Sequence, residues 1–206
     1  MGCDIHAHIE IKGPDNKWHK ADPFVPNLFE KGKFVQGTEL PIDRNYELFS
    51  LLEDGHVRNY MHTKGIAPAR GIAEDSAFKD DPVFNGSDPD YWGQSYLNFK
   101  EIFDFAGKHS YVQMHGYMSK ENYEYLKSGK ITCPDMWWLD GTDDAKQYYA
   151  EWTMMSPLLQ LANQLHLIEK LYRDQLYSNY GDQKVLDTIY YLDYRMRLVF
   201  AFDNWF

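Results

Sequence analysis

With 206 residues, 44% of them hydrophobic and 25% charged, the chain is long enough for one globular domain, or one domain with an insertion, and too apolar to be wholly disordered. A formal net charge of −10 repels a phosphate backbone, so stable nucleic-acid binding is not expected. Cys3 and Cys133 alone, with no CxxC pair, exclude a disulfide framework and a four-thiolate zinc site, and with no signal peptide or bilayer-length apolar run the expectation is a cytoplasmic protein without a membrane segment.

The opening residues Cys3 to Lys12 separate at a period of two. Cys3, Ile5, Ala7, Ile9 and Ile11 fall on one side, and Asp4, His6, His8, Glu10 and Lys12 on the other. That alternation predicts a strand with one apolar face and one face of titratable groups. On such a strand His6 and His8 stand about 7 Å apart at Cα, near enough for two imidazoles to share an ion. The alternative is an edge strand whose polar face is simply hydrated. Gly13-Pro14-Asp15-Asn16 predicts a turn, and Lys17 to Lys20 a short returning strand. From Asp22 to Asp43, prolines and glycines leave the expectation irregular.

Tyr46, Leu48, Phe49, Leu51 and Leu52 predict a short amphipathic helix capped by Asn45 and stopped at Gly55. The region 55–97 reads as a long ordered loop insertion that packs back on the body through Phe78, Phe84, Tyr91 and Trp92. Arg44, Arg58 and Arg70 lie in or beside it. Three guanidiniums in an acidic chain are candidates for an anion site, unless each pairs with a nearby carboxylate.

Asn98 and Glu101 form a capping-box pattern, predicting a helix to about Gly107. A second strand with a chemical face follows: His109, Tyr111, Gln113, His115 and Tyr117 share one parity. If it looks the same way as the first strand, four histidines approach one pocket; otherwise His109 and His115 are hydrogen-bonded sheet histidines. Ser119 caps a short helix ending at Gly129, and Lys130 to Asp144 is a loop. Gln147 to Met154 fits a strand or a lead-in to a helix, with the strand preferred. Ser156-Pro157 opens the main structural helix, whose apolar stripe is Leu158, Leu161, Leu165, Ile168, Tyr172 and Leu176. The last stretch, Tyr194 to Asn204, predicts a strand buried on much of both faces, with Asp203 at its end and the first strand as its neighbour. The fold expected is a single α+β domain over 1–206, with an antiparallel or mixed sheet, its terminal strands close together and helices mainly on one face.

The opening Met1-Gly2-Cys3-Asp4-Ile5-His6 with Ile9-Glu10, the internal Arg44-Asn45-Tyr46-Glu47-Leu48-Phe49, the Arg70-Gly71-Ile72 loop and the closing Phe202-Asp203-Asn204 resemble a group of bacteriophage and bacterial-genome proteins that open on MGCDIH. The resemblance implies a phage or prophage setting and no particular reaction. Asp4-Ile5-His6-Ala7-His8 is also similar to the HxH first strand of metal-dependent amidohydrolases and PHP-type phosphoesterases. Those enzymes are barrels of about 250 residues, whereas this chain is shorter and lacks alternating strand and helix signals.

These residues define the expected chemistry. His6 and His8, with His109, His115 or Asp203, hold a divalent zinc or manganese ion that activates water. Glu10 acts as general base, with Asp4 as a second catalytic carboxylate. Arg44, Arg58, Arg70 and Tyr111 bind a small phosphorylated or nucleotide-like substrate. The alternatives are a non-catalytic protein that sequesters a small anion, and an interaction module that docks through its aromatic surface.

Overall fold

The two ends of the chain lie side by side. In the computed structural model, strand β1 (Ile5–Lys12) runs antiparallel to β8 (Met196–Asp203), with Ile5 opposite Phe202 and Ile11 opposite Met196. The structure describes residues 3–13, 15–21, 24–26, 34–36, 39–40, 42–54, 63–131, 148–180 and 195–203. The predicted return strand is β2 (Trp18–Lys20), which pairs with the end of β1 across a turn where Asn16 adopts a φ of 66°. On the far side of β8 lies β5 (Tyr91–Asn98), completing a four-stranded sheet in the order β2-β1-β8-β5.

β8 is apolar throughout because both of its faces are covered; all eight of its residues are buried. One face of the sheet meets the main core. Ile5, Ala7 and Ile9 of β1 and Leu198, Phe200 and Phe202 of β8 pack there with residues of α1 (Tyr46–Leu52), α3 (Phe99–Lys108) and α5 (Pro157–Tyr180). The cap signals act as read. Asn45 accepts a hydrogen bond from the Leu48 amide at 2.8 Å, and Asn98 with Glu101 forms the capping box of α3. The α5 stripe is buried at Leu158, Leu161, Leu165 and Ile168, and His166 at its flank stacks on Phe103 at 3.6 Å.

The opposite face is covered by the segment from Ile72 to Asn85, which contains one short helix, α2 (Pro82–Asn85), capped by Asp81. Phe78 and Phe84 from this segment pack on Val199 and Ala201. Of the region read as a loop, residues 55–62 lie outside the described residues, and Phe78 and Phe84 pack on the sheet. Its end, from Tyr91 onward, is the edge strand β5. Gly93, at φ 62°, sits in the irregular stretch between Trp92 and Ser95 where the pairing to β8 shifts register, which masks the strand's alternation.

Two pieces stand apart from this sheet. In the region read as irregular, β3 (Phe24–Pro26) pairs antiparallel with β4 (Phe34–Gln36); three-residue strands leave too little pattern to read. The strand β6 (Tyr111–Met118) pairs with β7 (Tyr148–Met155) over eight residues to form a separate ribbon, with α4 (Lys120–Lys127) between them in sequence, capped by Ser119. Val112, Met114 and Met118 of the ribbon enter the main core, whereas Tyr111 and Tyr117 face outward. The expected Gly55 stop and the loop residues 132–147, Cys133 among them, lie outside the described residues. No helix among the described residues is long and apolar enough to cross a membrane.

Candidate functional site

The titratable groups of β1 do share one face, and antiparallel pairing sets each against a residue of β8. His6 faces Ala201, His8 faces Val199 and Glu10 faces Arg197, while Asp4 meets Asp203 just beyond the ladder through an amide-to-carbonyl bond of 3.1 Å. This row divides into three environments.

At the Asp203 end, the side chains converge. The Asp4 backbone N–H donates to Asp203 Oδ1 at 2.6 Å, and Asp203 Oδ2 lies 3.3 Å from His6 Nε2. On the other side of the imidazole, Nδ1 is 2.7 Å from Glu39 Oε1. The Arg44 guanidinium grips Asp4 with two hydrogen bonds of 2.7 Å, the parallel fork geometry that makes such pairs specific. Tyr91 meets the His6 ring edge-on, with centroids 5.2 Å apart. Asp203 is buried, while His6 and Asp4 are partly open to solvent.

The electrostatics follow from these contacts. The Glu39 hydrogen bond raises the His6 pKa; burial opposes it, and Asp203 adds to it. The hydrogen bond from Arg44 lowers the pKa of Asp4, and that from His6 lowers the pKa of Glu39. Burial raises the Tyr91 phenol pKa, with Asp88, Asp203 and Glu39 contributing. Three carboxylates thus surround one imidazole and one guanidinium, leaving the cluster negative even with His6 protonated.

In the middle of the row, His8 lies among aromatic rings, 4.8 Å from Phe78 and 5.2 Å from Phe84, and its charge reaches Glu39. At the far end, Glu10 is wholly buried. It accepts from Ser76 Oγ at 2.7 Å and the Ala77 amide at 2.5 Å and is ion-paired with Arg197, whose guanidinium also reaches Asp75 at 3.2 Å and lies over Trp18 at 4.0 Å. The Glu10 contacts are those of a clamp holding the Asp75–Phe78 segment to the sheet, and its full burial is not the open position in which a general base meets substrate or water.

The remaining expected site residues lie elsewhere. His109 ends α3 as its C-cap, with its ring 4.3 Å from Phe105, so it is not on β6. His115 sits on the ribbon opposite Glu151, with Tyr111 exposed on the same face; neither joins His6, because the face of β6 that enters the core is the other one. Arg70 is paired with Glu101 at 2.7 and 3.0 Å, a carboxylate partner of the kind weighed against an anion site. Arg58 lies outside the described residues. The structure therefore brings together Asp4, His6, Arg44 and Asp203 from the expected set. Among the described residues no group of three or more His, Cys, Asp or Glu side chains forms a ready-made metal shell.

Glu39, Arg197 and Glu53 were not singled out by sequence reasoning, and Tyr91 only as a packing aromatic. Arg197 had a readable signal, since it shares parity with Asp203 on a strand expected to pair with β1. Glu39 and Tyr91 had none, being in stretches without periodicity. Glu53, at the C-cap of α1, is 8% exposed; its Oε2 has no hydrogen-bond partner among the described residues, and burial pushes its carboxyl up to about 7. Comparison with known protein families, curated proteins and solved structures returns no match.

Proposed function

We propose that the Asp4–His6–Glu39–Arg44–Asp203 cluster is the reactive centre of a divalent-cation-dependent hydrolase acting on a small phosphorylated or nucleotide-like substrate. The observation that carries the reading is the Glu39–His6–Asp203 alignment. A ligating histidine usually gives its other ring N–H to a carboxylate that fixes its orientation, and Glu39 at 2.7 Å from Nδ1 stands in that position. His6 Nε2 and Asp203 Oδ2 are 3.3 Å apart, which is close to the separation of two ligands on a tetrahedral ion with bonds of about 2.0 to 2.1 Å.

In this reading His6 and Asp203 hold the ion, and substrate oxygens and water complete its shell, as is usual where a protein supplies only one or two ligands. The ion supplies the Lewis acid. Glu39 keeps the imidazole oriented and its Nε2 turned to the site. Asp203 also fixes the Asp4 backbone, and Asp4 holds Arg44 beside the cluster, where the guanidinium offsets charge on the substrate. The surplus negative charge of the cluster attracts a cation first; only with that cation in place does an anionic substrate become favourable. The phage or prophage setting rests on the sequence resemblance alone.

Titration of the purified protein with manganese and zinc, followed by calorimetry, tests the reading. The expected result is one cation per chain, lost in His6→Ala and Asp203→Ala with folding retained, and cation-dependent release of phosphate from a nucleotide panel. No uptake of either ion by a folded protein would refute it. A ligand-sequestering protein is the second reading, favoured by the incomplete ligand shell among the described residues. It predicts nucleotide recovered intact after denaturation.

A further inference from the structure

Beside the reactive cluster lies a cleft of about 180 Å³, between the residues leading into α1 and the first turns of α5. Its floor is apolar, formed by Leu48 and Leu161, and its walls carry Asp43, Arg44, Asn45, Gln160 and Gln164. An apolar floor with a few polar groups around it is the usual build of a small-molecule site.

The bonding capacity of those walls can be counted. Asn45 uses its side-chain oxygen to cap α1, accepting from the Leu48 amide at 2.8 Å, so its NH₂ remains to donate. Arg44 gives Nε and Nη2 to Asp4, and that pair does not use Nη1. Gln160 and Gln164 stand one turn apart on α5, so their carboxamides are neighbours, each able to donate and accept. Arg44 is already paired with Asp4, so the cleft carries no surplus positive charge to hold an anion.

We propose that this cleft binds the uncharged, planar, hydrogen-bonding part of the substrate, a nucleobase-sized heterocycle, against Leu48 and Leu161 with the Gln160 and Gln164 carboxamides on its edge. Whole drug-sized ligands occupy roughly 300 to 1,000 Å³. At about 180 Å³ the cleft holds one ring system, and the rest of a nucleotide lies outside it. Arg44 belongs both to the cleft wall and to the cluster, so the sugar and phosphate pass Arg44 toward His6 and Asp203. The carboxamides select for a matching donor and acceptor edge, because an apolar ring of the same size displaces their hydrating water without replacing its hydrogen bonds. The inference rests on the hydrolytic reading of the neighbouring cluster.

Uncharged nucleosides test it, since they need no cation. Adenosine, guanosine, cytidine and uridine are titrated into the full chain, with saturation-transfer NMR as the readout. At least one is expected to bind with a Kd below about 1 mM. Gln160→Leu and Gln164→Leu each weaken it by about tenfold, while added chelator leaves it unchanged. Gln164→Glu, which turns a donor-acceptor group into an acceptor, changes which nucleoside binds best and guards against a variant that merely misfolds. No binding of any nucleoside at millimolar concentration, or equal binding by the glutamine variants, overturns the proposal. Cation uptake without nucleoside binding overturns the cleft alone; nucleoside binding without cation uptake leaves the cleft and overturns the hydrolytic centre.

Discussion

Replacing Glu53 by glutamine is expected to stabilise the protein above neutral pH. Glu53 ends α1, and its backbone bridges to Ala67. Its side chain is buried against the Gly93 turn of β5 and the Phe202 ring, since a Cβ on Gly93 would stand 2.6 Å from Glu53 Oε2 and 2.8 Å from Phe202. Burial is the sole cause of the upward shift from 4.5 to about 7. A folded pKa above the unfolded one means that the native state holds the proton more tightly. The contribution to stability is therefore complete below about 4.5, declines as pH rises, and is lost above about 7. A shift of this size corresponds to about 3 kcal/mol. Urea unfolding of the wild type and Glu53→Gln at steps between pH 4.5 and 8.5 isolates the effect, because every other titrating group is common to both proteins. The variant gains on the wild type as pH rises, reaching about 3 kcal/mol, or roughly 6 to 12 °C in Tm for a chain of this size. Parallel stability curves with no pH-dependent gap would refute a buried, protonated Glu53.

Arg197→Met leaves Glu10 charged and buried without its partner, and is expected to cost about 3 to 5 kcal/mol in chemical denaturation, with less loss when Glu10 is also made apolar. Gly93→Ala meets a left-handed φ and close contacts with Glu53 and Phe202, whereas Gly71→Ala, at φ 70° with open space around its Cβ, meets only the backbone term. The first should lower stability by clearly more than the second, which costs about 1 to 2 kcal/mol; equal melting temperatures would contradict the packing described. If His6 holds the proposed cation, the ion must displace the His6 proton, whose pKa Glu39 raises, so manganese affinity is expected to rise with pH until His6 is neutral. Affinity that does not change with pH would place the ion elsewhere.

The fold was legible where a period or a cap was intact. The alternation of β1, the apolar run of β8, and the caps at Asn45, Asn98 and Ser119 each report a local cause, and their elements formed where read. β5 was hidden because Gly93 breaks its register, and β3 and β4 because three residues carry no pattern. The site was half legible for a related reason. Parity tells which side chains share a face, and Asp4, His6, His8 and Glu10 do share one. It does not tell what covers that face. Phe78 and Phe84 come down over His8, and Ser76 and Arg197 enclose Glu10, from segments roughly 70 and 190 residues away in a chain where burial decides ionic behaviour. His115 shows the same limit on β6: parity gives it a shared face with Tyr111 and Tyr117, but the face that enters the core is the other one, with Val112, Met114 and Met118.

Asp203 is where structure and chemistry are hardest to separate, because one carboxylate does both tasks. Its Oδ1 receives the Asp4 amide at 2.6 Å and its Oδ2 faces His6 at 3.3 Å, so it ties together the two chain ends 199 residues apart and shapes the cluster at the same time. Two substitutions divide these roles. Asp203→Asn keeps an oxygen for the Asp4 amide and removes the charge; Asp203→Ala removes both, leaving that amide without its partner at a cost of about 1 to 3 kcal/mol. If the charge serves the ion, the asparagine variant unfolds close to the wild-type midpoint yet takes up cation far more weakly. If the residue serves only to close the sheet, the asparagine variant matches the wild type in both measurements and the alanine variant fails in stability alone. The first pattern is expected, since the Asp4 amide needs only an acceptor, whereas the alignment with Glu39 and His6 uses a second oxygen that β-sheet closure does not require.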